Sequence, residues 1–138
     1  MLVVDVSAVF GFIFADERSD YAMALAEYMQ TSPVMAPDFF LIEANNIFQT
    51  KERRQLYQQS DINDMQDRLL RMNILYRRAT RLWFQARALL ELQRLYGLTS
   101  YDALYLLLAQ HYQIPLATQD KKLRLAAERE NLFWPGTP

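Results

Sequence analysis

Short apolar runs alternate with helix-forming segments along all 138 residues of this chain, and that alternation constrains its fold more than any other feature. Leu2 to Asp5 reads as a buried strand, Val34 to Ala36 as a second, Pro115 to Thr118 as a third, and Leu132 to Trp134 as a short last one. Asn73 to Tyr76 reads as a brief strand or only a turn. Helices fill the intervals. One starts at about Ser7; the next is capped by Ser19 and broken at Ser32-Pro33. Asp38 is the expected cap of a helix reaching about Arg54, and Ser60 of the one after it. A long amphipathic helix is predicted from Ala79 to Tyr96, stopped by Gly97. Thr99 or Ser100 opens a helix running to about Gln113, and Asp120 to Asn131 forms the last. Strands separated by helices in this way pair in parallel, with helices on both faces. The expectation is one α/β domain over residues 1–138, with a helical excursion in its middle.

Four carboxylates interrupt this apolar framework. Asp5 closes the strand in LVVDVSAV, Glu43 interrupts DFFLIEANNIF, Asp102 opens the helix in TSYDALYLLLA, and Asp120 follows the strand in PLATQD. Buried acids are costly unless paired or bound to a cation, and none of the four has an obvious basic partner, although Lys121 and Lys122 come directly after Asp120. In an open parallel sheet, ligands bind beyond the carboxyl ends of the strands, where Asp5 and Asp120 fall. Asp102 lies in the first turn of its helix. Glu43 has Phe39, Phe40 and Ile47 as its helical neighbours, which turns it towards the core. Oxygen ligands without His or Cys suit Mg²⁺ or Mn²⁺ rather than Zn²⁺, and such ions activate water for phosphodiester hydrolysis. Each acid also has a purely structural reading. Asp120 reads equally as a helix cap, Asp102 as a partner of Thr99, and Glu43 as half of an ion pair with a middle-segment arginine.

The charge distribution agrees with a polyanionic substrate. From Lys51 to Arg94 there are ten Lys and Arg against five Asp and Glu, whereas the net charge of the whole chain is −1. A solvated, Arg-rich helix pair would look the same on charge alone. The absence of Cys excludes disulfides, thiolate metal sites and a Cys nucleophile, and fits a reducing, cytoplasmic setting. The apolar N-terminus lacks a basic leader and contains Asp5, so it is not read as a signal peptide. No uncharged stretch approaches the roughly 20 residues of a membrane span.

With these residues in place, the chain resembles the PIN-domain nucleases, most closely the VapC-like toxins of type II toxin–antitoxin pairs. The likeness runs from LVVDVSAV through DFFLIEANNIF to TSYDALYLLLAQHYQIPLATQD, in order and spacing as well as in the acids. It implies a three-layer α/β/α fold with a short, mainly parallel central sheet, and Mg²⁺- or Mn²⁺-dependent cleavage of RNA. By position, Asp5, Glu43, Asp102 and Asp120 would be the acidic quartet that binds metal and carries catalysis. Ser7 and Thr118 would be hydroxyl residues bonded to the carboxylates or to a metal-bound water. A homodimer and a cognate antitoxin protein are further expectations of the resemblance.

Other residues carry less. His111 lies more than two turns from Asp102 and reads as a packing or surface residue. Trp83 and Phe84 suit the core better than an RNA contact. Asn46, one turn after Glu43, reads equally as a support for that carboxylate and as a polar flank. Arg53, Arg54, Arg77, Arg78, Arg81, Lys121 and Lys122 are candidate phosphate contacts. The rival readings are a PIN-fold nuclease of RNA maturation or structured DNA, a catalytically silent binding module, and a phosphatase with Asp5 as nucleophile. The last commonly wants a second Asp where this chain has Ser7.

Overall fold

A computed structural model describes residues 1–136, apart from the side chains of Thr80, Trp83 and Phe84. Strand β1, Leu2–Val4, runs straight into helix α1, Val6–Ile13. A 3-10 turn at Ala15–Glu17 leads to α2, Asp20–Thr31, and then to β2, Val34–Pro37. Helices α3, Phe40–Arg53, and α4, Gln59–Leu70, precede β3, Ile74–Arg77. A 3-10 segment, Ala79–Gln85, is followed by α5, Ala86–Tyr96, and α6, Ser100–Tyr112. Strand β4, Leu116–Ala117, and α7, Lys121–Arg129, complete the order.

The sheet has the order β3-β2-β1-β4, and every neighbouring pair is parallel. Helices enclose it in a three-layer α/β arrangement, so β1 and β2 are buried along their whole length. Parallel strands covered on both faces need continuous apolar sequence, which LVV and VMAP supply. The expected final strand is reduced to one bridge. Leu116 N–H donates to Leu132 O and Trp134 N–H to Leu116 O, pairing Phe133 with the edge of β4. Among the described residues, no helix is long and apolar enough to cross a membrane.

Several helix ends follow local chemistry. Ser19 accepts from Ala22 N–H, Thr99 from Asp102 N–H and Asp120 from Leu123 N–H, while Gly97 ends α5 at φ +65°. Three ends do not. Asp38 leaves α3 without a side-chain cap because its Oδ1 accepts instead from Ala79 N–H, across the sheet edge. Helix α4 begins before Ser60, with Asp61 accepting from Gln58 N–H. The continuous helix expected over 79–96 is divided, its first part tightening to 3-10 geometry where that same Asp38 contact fixes Ala79. The aromatic pair Trp83 and Phe84 lies outside the described side chains.

The core beneath α1 is aromatic. The Phe10 ring lies 4.9 Å from the rings of Phe14 and Phe48. Lys51, only 8% exposed, sets its ammonium 4.2 Å above the Phe14 ring and pairs with Asp16 and Glu17 at 3.0 and 2.6 Å. On the far side of α1, Gln119 ties three elements together. Its Oε1 accepts from Ser19 Oγ and its Nε2 donates to Ser7 O.

Gln119 reaches that position by crossing α1 at Gly11. A Cβ on Gly11 would stand 2.0 Å from Gln119 Nε2 and 2.7 Å from the Ala22 Cβ of α2. Gly11→Ala should therefore lower stability by about 1–3 kcal/mol in urea denaturation, as overpacking does. Adding Gln119→Ala should recover only part of that loss, since the Ala22 clash remains. Wild-type stability in Gly11→Ala would refute this packing.

Candidate functional site

Asp5 is placed by the junction between β1 and α1. Its backbone is extended (φ −95°, ψ 170°), and its Oδ1 accepts from Ala8 N–H at 3.0 Å as the cap of α1. An acid at the end of a strand that passes directly into a helix thus acquires one donor from local geometry alone. The remaining donors come from farther away. Ser7 Oγ lies 2.8 and 2.9 Å from the two carboxylate oxygens, and Thr118 Oγ1 donates to Oδ2 at 2.9 Å.

The polarity of these bonds is forced. Ser7 Oγ accepts from Gln119 N–H at 2.9 Å and from Asp120 N–H at 3.1 Å, and Thr118 Oγ1 accepts from Asp120 N–H at 3.0 Å. A backbone N–H can only donate, so Ser7 Oγ, with both lone pairs taken, must turn its hydrogen towards Asp5, and Thr118 Oγ1, with one lone pair taken, donates to Oδ2. Asp5 is held as a pure acceptor on that side. Tyr21 fixes Thr118 from behind, its hydroxyl accepting from Thr118 N–H and donating to Trp134 O.

The four predicted acids differ in setting. Asp5 is buried, Glu43 and Asp102 are half-buried, and Asp120 is exposed. Burial pushes Asp5 up to about 6 against the pull of Ala8, Ser7 and Thr118, with a further rise from the Asp120 charge. Glu43 is raised to about 7, first by burial and then by the charges of Asp5 and Asp102. Asp102 is raised by burial and by Asp120, and eased by Thr99 and Lys122. Charge repulsion thus links Asp5 with Asp120, Glu43 with Asp5 and Asp102, and Asp102 with Asp120. Among the described residues none of them is in an ion pair, so the structural reading of Glu43 as an arginine partner is not what the fold provides.

The partner of Glu43 is instead Tyr105, whose hydroxyl donates to Oε1 at 3.1 Å. Tyr105 is fully buried on α6, and its phenol is held far above the ordinary value by burial and by the charges of Glu43, Asp5 and Asp102. Tyr105 follows Asp102 by three positions, so both project from one helix face. That spacing was a usable signal for it; nothing local marked Tyr21 or Gln119. Asn46 is exposed, as are Arg53, Arg54, Lys121, Lys122 and His111.

Of the acids, Asp120 uses Oδ1 as the cap of α7, and Glu43 uses Oε1 for Tyr105. Among the described residues the other oxygen of each has no donor. The donor set is hard oxygen throughout, which matches a divalent cation such as Mg²⁺. Its spacing is looser than a ready-made cage, for among the described residues no three His, Cys, Asp or Glu side chains are gathered closely enough to hold a metal ion together.

A family model described as PIN domain matches residues 2–129. The fold is also similar to the crystal structure of PAE2754 from Pyrobaculum aerophilum, with a TM-score of 0.66 and 19% sequence identity. That likeness covers 91% of this chain and 78% of the other, and it speaks to fold alone. No curated protein matches this chain.

The raised acids make stability fall with pH. A carboxyl that holds its proton more tightly when folded stabilises the fold below its unfolded value and loses that contribution as pH rises through its folded value. For Asp5 the window runs from 3.8 to about 6, and for Glu43 from 4.5 to about 7. Asp5 alone corresponds to roughly 3 kcal/mol. Asp16, held low by Tyr57 and Lys51, acts in the opposite sense but below this window. In EDTA the urea midpoint should therefore drop between about pH 4.5 and 7.5, and Asp5→Asn should flatten the drop. A midpoint that rises over this range would contradict the buried, unpaired acid.

Proposed function

The chain belongs to the PIN domain family, generally a nuclease fold, and on that premise we propose that it is a Mg²⁺- or Mn²⁺-dependent endoribonuclease. The observation that carries the reading is the buried Asp5 carboxylate, held as an acceptor by Ser7 and Thr118 and repelled by Asp120, with no cationic side chain among the described residues paired to it. A divalent cation would supply the counter-charge.

Asp5, Glu43, Asp102 and Asp120 would hold that cation, one or two directly and the others through water, as Mg²⁺ ordinarily prefers. When bound, it supplies a water of lowered pKa and positive charge beside the departing oxygen of a phosphodiester. The protein's own groups do the rest. Ser7 and Thr118 keep Asp5 oriented and deprotonated on the inner side. Tyr105 fixes the Glu43 carboxyl through Oε1, leaving Oε2 without a donor among the described residues. Asp120 holds the start of α7 with one oxygen and presents the other.

The wider proposal is that this nuclease is the cytoplasmic toxin of a toxin–antitoxin pair, similar to the VapC-like proteins. RNA would be its substrate, a cognate antitoxin its restraint and a homodimer its working form. The order of LVVDVSAV, the Glu43 helix, YDALY and IPLATQD supports this.

Purified protein should cut a panel of tRNA, rRNA and mRNA with Mg²⁺ or Mn²⁺ and be inert in EDTA. Asp5→Asn should lower the rate by at least about a hundredfold while circular dichroism shows an intact fold, and Tyr105→Phe by about tenfold. Discrete cuts in structured DNA alone would move the assignment to a DNA nuclease. A folded protein that binds Mn²⁺ but cuts neither substrate would point to a silent binding module.

A further inference from the structure

The end of β3, the 3-10 segment after it and the second half of α6 enclose a cavity of about 310 Å³. Three arginines line it, Arg77, Arg78 and Arg81, together with His111 and Tyr112. Among the described residues none of these arginines is in an ion pair. Arg77 is stacked above the Tyr112 ring, its guanidinium carbon 5.7 Å from the centroid. Its Nε is buried and has no hydrogen-bond partner among the described residues. Asp38, whose N–H donates to Arg77 O, accepts from Ala79 N–H through Oδ1 and is in no ion pair with these arginines.

We propose that this cavity grips a phosphate of the RNA strand outside the bond that is cut. Three guanidinium groups that are in no ion pair among the described residues, on a protein of net charge −1, form a local anion site that planar forks suit well. Tyr112 and His111 add exposed ring surface beside the cations, the combination that single-stranded nucleic acid uses for stacking and charge together. Position sets the cavity apart from the acids. His111 is nine residues along α6 from Asp102, about 13 Å of helix rise. Arg77 ends a strand two places from that of Asp5, about 10 Å across the sheet. A phosphate held there belongs to a neighbouring nucleotide, and its capture sets the register of the strand over the acids.

This inference rests on the nuclease reading, and the test separates the two. A fluorescein-labelled single-stranded oligoribonucleotide is titrated with protein in EDTA, so that binding is read without cleavage. Arg78→Ala/Arg81→Ala changes two exposed residues and should weaken binding at least about fivefold, with the salt slope reduced by about 0.7 for each arginine–phosphate pair removed. Arg18→Ala/Arg129→Ala, an equal loss of exposed charge elsewhere, should change neither. Equal affinity and slope in the first pair and the wild type would overturn the phosphate site, while metal- and Asp5-dependent cleavage would leave the nuclease standing. Binding through the arginines with no cleavage would uphold the pocket and remove the nuclease. A poly-glutamate peptide that displaces the RNA at equal charge concentration would also overturn it, in favour of an acidic protein segment.

Discussion

Everything at the candidate site depends on one buried carboxylate that the fold surrounds with donors and, among the described residues, pairs with no cationic side chain. Asp5 sits where β1 becomes α1, with Ala8 N–H, Ser7 Oγ and Thr118 Oγ1 converging on it. These bonds offset desolvation only in part, so its proton affinity stays high. Such an arrangement is a poor device for stability and a good one for receiving positive charge. Ser7 Oγ is fully committed, its lone pairs taken by Gln119 N–H and Asp120 N–H, while Thr118 Oγ1 accepts from Asp120 N–H alone.

The same network explains why distant segments meet. Pairing of β1 with β4 brings Thr118 within reach of Asp5 although 113 residues separate them. Ser7 fastens the start of α7, Gln119 fastens the start of α2, and Gly11 leaves room for the crossing. Helix α6 approaches the cluster with Asp102 and Tyr105 on one face, and Tyr105 turns Glu43 inward. The acids therefore feel one another through rigid elements rather than loops, a requirement for holding catalytic groups in fixed geometry.

Much of this was legible residue by residue. The apolar runs LVV and VMA became β1 and β2, and Ser19, Thr99, Asp120 and Gly97 ended helices as their local chemistry dictates. Asp120, ambiguous between cap and ligand, is a cap with one oxygen to spare. Asp38 and Ser60 misled because capping is a competition: the first was claimed by Ala79 from another element, and the second was pre-empted by Gln58 and Asp61. The amphipathic stripe over 79–96 hid a change of helix type, since residue pattern does not record which carbonyl each N–H will find.

Sequence alone determined most of the helices, the strands β1 and β2 and the parallel character of the sheet, and it singled out the unusual acids. Those follow from hydrophobic periodicity and from the cost of placing charge in apolar segments, both local properties. Only the tertiary structure decided which oxygens of those acids are taken, that Tyr105 rather than an arginine meets Glu43, and that Arg77, Arg78 and Arg81 share one cavity. Hydrogen-bond partners and cavity walls come from elements far apart in the chain, and no local pattern encodes their meeting.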